Sequence, residues 1–351
     1  ADDSPTIPGC RYWSGPRGRG CTRSMPDLSV IVVSWNVREL LARCLESLTS
    51  CSAVEPDGLF RLPDGRSFDV WVVDNASDDG SPAMVTERFP AVRLMALEAN
   101  RGFAAANNTA IRQCRGRVLL LLNPDTQVIG QAVTVLLDYL DAHPEVGVVG
   151  PQLRYADGTL QSSRRRFPTP LTGFFESTLL HQWFPRNRWA ARYHMQDVPE
   201  GVETRVDWLV GAALMVRRQA VEQAGLLDEG YFLYSEEMEW CRRIGACGWQ
   251  VVYLPTAVVL HHEGRSSEQV AAARHIYFQT SKLRYYAHVH GPRWAAALRA
   301  FLLATYAWQW LEEGLKWLVG HRRALRAARL QAYGQVLRSG LSPARSGGAR
   351  A

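Results

Sequence analysis

The stretch Leu28–Ser34, LSVIVVS, is a short run rich in β-branched residues, bounded by Pro26 and by Trp35-Asn36. Its length and composition predict a buried strand. Residues 38–50, RELLARCLESLTS, place Leu41, Cys44, Leu45 and Leu48 at helical spacing, so a helix follows. Residues 55–67, EPDGLFRLPDGRS, carry two Pro-Asp-Gly turns and read as a small hairpin or loop excursion. The run DVWVVDNASDDGS then predicts a second strand ending in a polar, glycine-terminated loop, and VRLMALE a third. NRGFAAANNTAIRQCRG reads as a loop entering a helix that Gly116 ends. RVLLLLNPD predicts a fourth strand, apolar throughout as expected of one covered on both faces. A helix near 130–142 and a strand over VGVVGPQL follow.

Strands alternating with helices imply an α/β domain with a mostly parallel central sheet. In such sheets ligands bind beyond the carboxyl ends of the strands, where Asp74, Asn100 and Asp125 all fall. Residues 160–205 are rich in Arg, Pro and aromatics without a clear period, which predicts a long surface excursion and a candidate for acceptor contacts. VDWLVGAALMVRRQAVEQAG resumes with a strand and a helix capped by Gly225. After His262 the pattern is helical. Its apolar run from Ala300 to Leu311 is 12 residues long before Glu312-Glu313, too short to span a bilayer. The Trp, Tyr and Arg around it suit a helix lying in a membrane interface.

Composition sharpens this picture at the two ends. The chain has 351 residues with 47% hydrophobic and 21% charged positions, ordinary for a globular protein of one large domain plus an appendage. Its net charge of +6 is uneven. From Arg274 onward there are thirteen Arg or Lys against two Glu, an excess of eleven, so the first 273 residues sum to −5. A basic tail on an acidic body points to an anionic partner. The first 24 residues, rich in Gly, Pro and Arg, lack the apolar run of a secretory signal and read as a disordered extension before Met25. Seven cysteines without metal-type spacing read as reduced thiols of a cytosolic protein.

The candidate chemistry is acidic. Asp125, at the end of an apolar strand, could hold a divalent cation, since Mg²⁺ or Mn²⁺ needs only one or two carboxylates when a diphosphate supplies the rest. Asn123 could add an oxygen. Alternatively, Asp125 or Thr126 caps the next helix. Asp74 could accept from a nucleobase or a ribose hydroxyl, or close an Asx-turn in DNAS. In NRGFAAANN, Gly102 permits close backbone approach, Arg101 offers a cation, and the helix start favours phosphate. SEEMEW crowds Glu236, Glu237 and Glu239 beside apolar neighbours, an arrangement that raises carboxylate pKa and suits a general base. The competing reading is a solvated first helical turn, preferred for Glu239. His261 is either structural or, near Asp125, a metal ligand.

Taken in order, SVIVVSWN, VVDNASDDGS, NRGFAAANN, LLLLNPDT, GPQLRYADGTLQSSRR, VGAALMVRR, LDEGYFLYSEEMEWCRRI and VVLHHEGRS resemble glycosyltransferase family 2, within it the rhamnosyltransferase-like branch, over about Leu28 to Ser267. The resemblance implies a GT-A fold over residues 25–267. The residue pattern adds a helical, basic region over 268–340, read as membrane-associating, and a disordered tail over 341–351. The resemblance also implies an inverting, metal-dependent transferase that moves a sugar, with dTDP-L-rhamnose as donor, to a glycan or polyprenyl-diphosphate-linked acceptor in cell-envelope polysaccharide synthesis. Nucleic acid is not an implied partner. The implied location is cytoplasmic, peripheral on the inner face of the plasma membrane. Nucleotide-sugar contacts fall on Ser34, Asn36, Asp74, Asn75, Asn100, Arg101, Gly102, Asn107, Asn123 and Gly211. Asn123-Pro-Asp125 stands where the family has Asp-x-Asp, leaving Asp125, with His261, to hold Mg²⁺ or Mn²⁺. Glu237 falls on the catalytic-base position, where Asp is more usual, with Glu236 as the neighbouring candidate. Two alternatives are a sugar-nucleotide nucleotidyltransferase, whose Gly-rich basic loop is replaced here by SWNVREL, and a non-catalytic membrane-associated binding protein.

Overall fold

A computed structural model describes residues 25–50, 52–55, 58–262 and 271–342. The expected extension over 1–24 and most of the expected tail lie outside the described residues. The chain divides into two compact units: one of residues up to 165, 198–229 and 237–266, the other of 166–197, 230–236 and 267 onward.

The first unit opens with β1 (Leu28–Ser34), α1 (Arg38–Thr49), a small hairpin of β2 (Ala53–Val54) and β3 (Phe60–Arg61), and β4 (Ser67–Asp74). Then come α2 (Ser81–Arg88), β5 (Arg93–Ala96), α3 (Phe103–Ile111), β6 (Val118–Leu122), β7 (Thr126–Val128), α4 (Ala132–Ala142), β8 (Val146–Arg154), β9 (Leu160–Gln161) and β10 (Arg164–Arg165). The second unit supplies three short helices, α5 (Thr172–Phe175), α6 (Leu179–Trp183) and α7 (Arg188–Tyr193). The first resumes with β11 (Thr204–Val206), β12 (Trp208–Leu209), β13 (Ala213–Arg217) and α8 (Arg218–Ala224). It ends with α9 (Glu236–Ala246), whose first residue falls in the second unit, and β14 (Gln250–His261). The second unit closes with α10 (Ala271–Val289), α11 (Pro292–Leu318) and α12 (Arg323–Ser339). Among the described residues no helix is long and apolar enough to cross a membrane.

The main path of the large sheet runs β11-β14-β8-β13-β6-β1-β4-β3-β2. β1 lies parallel to both β4 and β6, and β14 is parallel to β8. β13 is the exception at the centre, antiparallel to β6 on one side and β8 on the other. All five residues of β6 are buried, as a strand covered on both faces requires. Leu41, Cys44, Leu45 and Leu48 of α1 and Leu136, Leu137 and Leu140 of α4 pack into the same core. Gly225 ends α8 as expected, its φ of 82° favouring glycine and its N–H donating to Val221 O.

Gly116 has a different role from the one its sequence suggests. The helix before it already ends at Ile111, and Gly116 is instead the point where the chain passes against β1. Its N–H donates to Ser29 Oγ at 3.0 Å, and an added Cβ would lie 2.4 Å from Ser29 N and 2.7 Å from Leu28 C. Backbone atoms of a central strand cannot yield as a side-chain tip can. Gly116→Ala is therefore expected to destabilise the fold by about 1–3 kcal/mol, read as a lowered Tm by calorimetry. An unchanged Tm would mean that β1 can shift to make room.

Candidate active site

The parallel register aligns the carboxyl ends of the central strands. Ser34 pairs with Asp74 across β1 and β4, Asp74 with Ala96 across β4 and β5, and Val32 with Leu122 across β1 and β6. Asp74, Asn75 and Asn123 therefore emerge at one edge of the sheet. Asp74 is only 2% exposed. Its Oδ2 accepts from Ser77 N–H at 2.9 Å, which is the expected turn, but Oδ1 is buried with no hydrogen-bond partner among the described residues. Ser34 Oγ, on the neighbouring strand tip, is likewise buried and without a partner there. Leaving such atoms unsatisfied costs about 1–3 kcal/mol each, so this pair is set up to bond a ligand.

Several other predicted contacts shape the loops. Asn36, at φ 51°, donates its N–H to Ser77 Oγ and accepts from Asp78 N–H, tying the loop after β1 to the loop after β4. Asn75 is buried, accepts from Arg101 N–H at 2.8 Å and donates to Gly102 O at 3.3 Å. Asn100 Oδ1 accepts from Gly102 N–H at 3.0 Å, and Gly102 holds φ 81° where a side chain would be strained. Arg101 itself is exposed. Asn107 donates to Phe103 O inside α3 and is buried there.

Asp125 does not cap a helix. Thr126–Val128 forms β7 and α4 starts only at Ala132. β7 pairs antiparallel with the end of β14, His261 opposite Thr126, and His262 N–H donates to Asp125 O at 2.8 Å. This ladder brings together residues far apart in sequence: His261 Nε2 lies 3.4 Å from Asp125 Oδ1, and both side chains are buried. On its other side His261 Nδ1 lies 2.9 Å from Gln161 Oε1. An amide oxygen can only accept, so Nδ1 donates to it, and Nε2 is the ring atom turned toward Asp125. A carboxylate oxygen and an imidazole nitrogen are both atom types that can ligate a divalent cation. Gln161 reaches this point through the β8–β9 pairing, opposite Leu153. Below the loop Cys44 Sγ contacts Asn123 O and Thr126 Oγ1, and burial pushes its thiol up to about 12, so it stays neutral. Among the described residues no three His, Cys, Asp or Glu converge. Asp125 and His261 are thus a pair of side chains whose donor types suit a divalent cation, not a full ligand set.

Glu237 joins this edge through β13. The β6–β13 ladder continues past its last paired residues, with Asn123 N–H donating to Ala212 O at 2.9 Å. The next residue, Gly211, packs against Glu237, whose Cγ would lie 3.4 Å from a Cβ added there. Asn123, Ala212, Gly211 and Glu237 form one connected run, so Glu237 stands beside the loop that carries Asp125. Burial raises the Glu237 carboxyl, while the amides of Glu237 itself, Gly211 and Met238 and the nearby Arg165 pull it back. Its Oε2 is buried with no hydrogen-bond partner among the described residues. Crowding is not the main cause of the rise. Glu239 is neutralised by Arg243, which bonds it at 2.7 and 2.8 Å and holds Leu226 O at 2.8 Å. Glu236 is buried, has interactions of its own, and belongs to the second unit. Tyr234 and Ser235, just before α9, both hold positive φ, a strain of the kind that collects at working sites.

Two residues here were not singled out as site members from the sequence, Gln161 and Arg165. Both lie in the family-like stretch GPQLRYADGTLQSSRR, at the start of the excursion without a period. Elsewhere, Cys44, Cys114 and Cys241 are free thiols as expected, whereas Cys247 is engaged in a disulfide.

The Glycosyl transferase family 2 model matches residues 29–209. The chain is 33% identical over 291 residues to the N-acetylglucosaminyl-diphospho-decaprenol L-rhamnosyltransferase of Mycobacterium tuberculosis, covering 80% of this chain and 90% of that protein. It is 26% identical over 210 residues to the rhamnosyltransferase WbbL of Escherichia coli, covering 53% of this chain and 70% of that protein. Among solved structures, GalNAc-T7 with UDP, GalNAc and Mn²⁺ superposes with a TM-score of 0.51 at 14% identity, covering 75% of this chain and 51% of that one, a likeness of fold. With its mixed, mostly parallel sheet and strand-end site, this GT-A chain belongs to glycosyltransferase family 2.

Proposed function

We propose that the chain transfers L-rhamnose from dTDP-L-rhamnose to a sugar hydroxyl of a lipid-linked N-acetylglucosaminyl diphosphate, at a membrane surface and with inversion at the anomeric carbon. The sugar and acceptor rest on the likeness to the M. tuberculosis rhamnosyltransferase over 90% of its length. The chemistry rests on one observation: the run from Asn123 through Ala212 and Gly211 to Glu237 sets a base beside the Asp125–His261 pair.

In this reading Asp74 Oδ1 and Ser34 Oγ accept and donate to the nucleoside, which satisfies both. Asp125 and His261 hold Mg²⁺ or Mn²⁺, which supplies neutralisation of the diphosphate leaving group when bound. Glu237 Oε2 takes the proton of the acceptor hydroxyl as that oxygen bonds to the anomeric carbon. The bond from that carbon to the diphosphate oxygen breaks on the opposite side, and dTDP leaves. No covalent enzyme intermediate forms.

The test is incubation with dTDP-L-rhamnose, Mg²⁺ or Mn²⁺ and a short-chain N-acetylglucosaminyl-diphospho-lipid, followed by mass spectrometry and NMR of the product. A rhamnosylated lipid with inverted anomeric configuration is expected. A product that retains configuration would remove Glu237's proposed role, and donor binding without turnover would favour the non-catalytic reading.

A further inference from the structure

In the second unit, α11 has two distinct faces. Leu298, Leu302, Thr305, Tyr306 and Glu313 are buried, and the helix packs on α10 and α12. On the opposite side Trp308, Leu311, Leu315 and Leu318 recur at intervals of three, four and three residues and form one stripe. Trp308 is 57% exposed and Leu315 65%, and Val319 continues the stripe past the helix end at 85%. A contiguous exposed row of this size needs a partner. We propose that it docks on an anionic phospholipid bilayer, with α11 lying in the plane of the interface.

The charges around the stripe select that occupant. Both acidic residues of the basic C-terminal stretch are already neutralised: Glu312 pairs with Lys316 one turn on, and buried Glu313 takes Arg326 at 2.8 and 2.7 Å and Arg329 at 3.1 Å. The excess of eleven positive charges from Arg274 onward is therefore not opposed by a free carboxylate on this helix. Exposed Arg322 and Arg323 follow the stripe directly, and the Arg323 guanidinium lies 5.7 Å from the Trp317 ring centroid. Tryptophan bodies with arginine heads at their border match the acyl–headgroup boundary, and each Arg near an anionic surface adds attraction. A second copy of this chain fits poorly, since a two-fold contact would set this basic stretch against itself. A spanning role does not fit the polarity of the helix, since no described helix is long and apolar enough to cross a membrane. The inference stands on this helix face alone and goes beyond the transfer reading.

Full-length protein is mixed with vesicles of phosphatidylcholine alone or with phosphatidylglycerol added, and followed by flotation and tryptophan emission. Flotation only with the anionic vesicles, with a blue shift that added salt reverses, is the expected result. Leu315→Glu combined with Leu318→Glu should lower the floated fraction about tenfold or more, with Tm and transfer to a water-soluble acceptor unchanged. A wild-type chain that ignores anionic vesicles overturns the proposal, as does a double variant that floats equally well. Conversion of a dimer to a monomer by the variant, without change in flotation, overturns it in favour of self-association. A chain that floats yet transfers no sugar upholds docking and removes only the transfer reading.

Discussion

Glu237→Gln is expected to lower turnover by about 10²–10⁴-fold, the usual contribution of a positioned general base, while leaving the dissociation constant for donor and metal close to wild type. The amide keeps the shape that packs on Gly211 but cannot take a proton. Stability should move the other way. Burial raises the Glu237 carboxyl, so the fold favours its protonated form. A carboxyl whose folded value is raised contributes stability fully below the ordinary carboxylate range and loses that contribution as pH rises through the raised value. Above the ordinary carboxylate range the wild type therefore bears a cost of ionising this group that the glutamine variant does not have. The variant should melt at the same or a higher temperature at neutral pH, and the difference should close on acidification below the ordinary range. Calorimetry at two pH values and a rate profile in pH test both halves. The wild-type rate should fall on the acid side at a pH above that of an ordinary carboxylate. Retention of near wild-type turnover by the variant would move the base to another residue. A variant that neither turns over nor folds would leave the calorimetric half failed.

The sheet was legible because its strands carry their own signal. β1 and β4 are dominated by apolar, largely β-branched residues and β6 is apolar throughout, and each appears where the pattern places it. What pattern cannot carry is direction and partner. VDWLVGAALMVRR reads as one strand, but it is broken into β12 and β13 with Gly211 between them, and β13 runs antiparallel between β6 and β8. That break is what brings Gly211 to Glu237. The excursion over 160–205 shows no period because its helices are only four to six residues long, too short for a repeat of 3.6 to declare itself.

The site divides along the same line. Asp74 and Asp125 announce themselves as carboxylates at strand ends, and the structure keeps both readings of Asp74, since one oxygen closes a turn and the other is left unpaired. For Asp125 the helix-cap reading fails because a three-residue strand intervenes. Gln161 lies in the family-like stretch GPQLRYADGTLQSSRR, but nothing in that stretch marks it as a partner of His261. Its contact with His261 spans 100 residues and exists only because β9 and β14 both pair with β8.

Asp125→Ala should have the other large effect, abolishing metal-dependent tightening of the donor and lowering transfer by about 10³-fold or more, as loss of several kcal/mol of charge stabilisation implies. The buried pair explains the size. Asp125 is the carboxylate that lies beside His261 Nε2, so in the proposed site the alanine variant leaves one nitrogen donor and the donor's own phosphates. Two binding measurements check this apart from turnover. Mn²⁺ with dTDP should raise the Tm of the wild type by mass action on the folded state and should not raise that of the variant. Titration of Mn²⁺ followed by electron paramagnetic resonance should show the same loss. Gln161→Leu supplies the graded case: it keeps both ligands but frees the His261 ring and its tautomer, for which about 10–100-fold weaker metal affinity is expected. If Mn²⁺ with dTDP protects the Asp125→Ala chain as well as the wild type, Asp125 is not a metal ligand. In that event the leaving group would have to be stabilised by side chains alone, with exposed Arg101, beside Gly102 in the loop before α3, as one candidate cation.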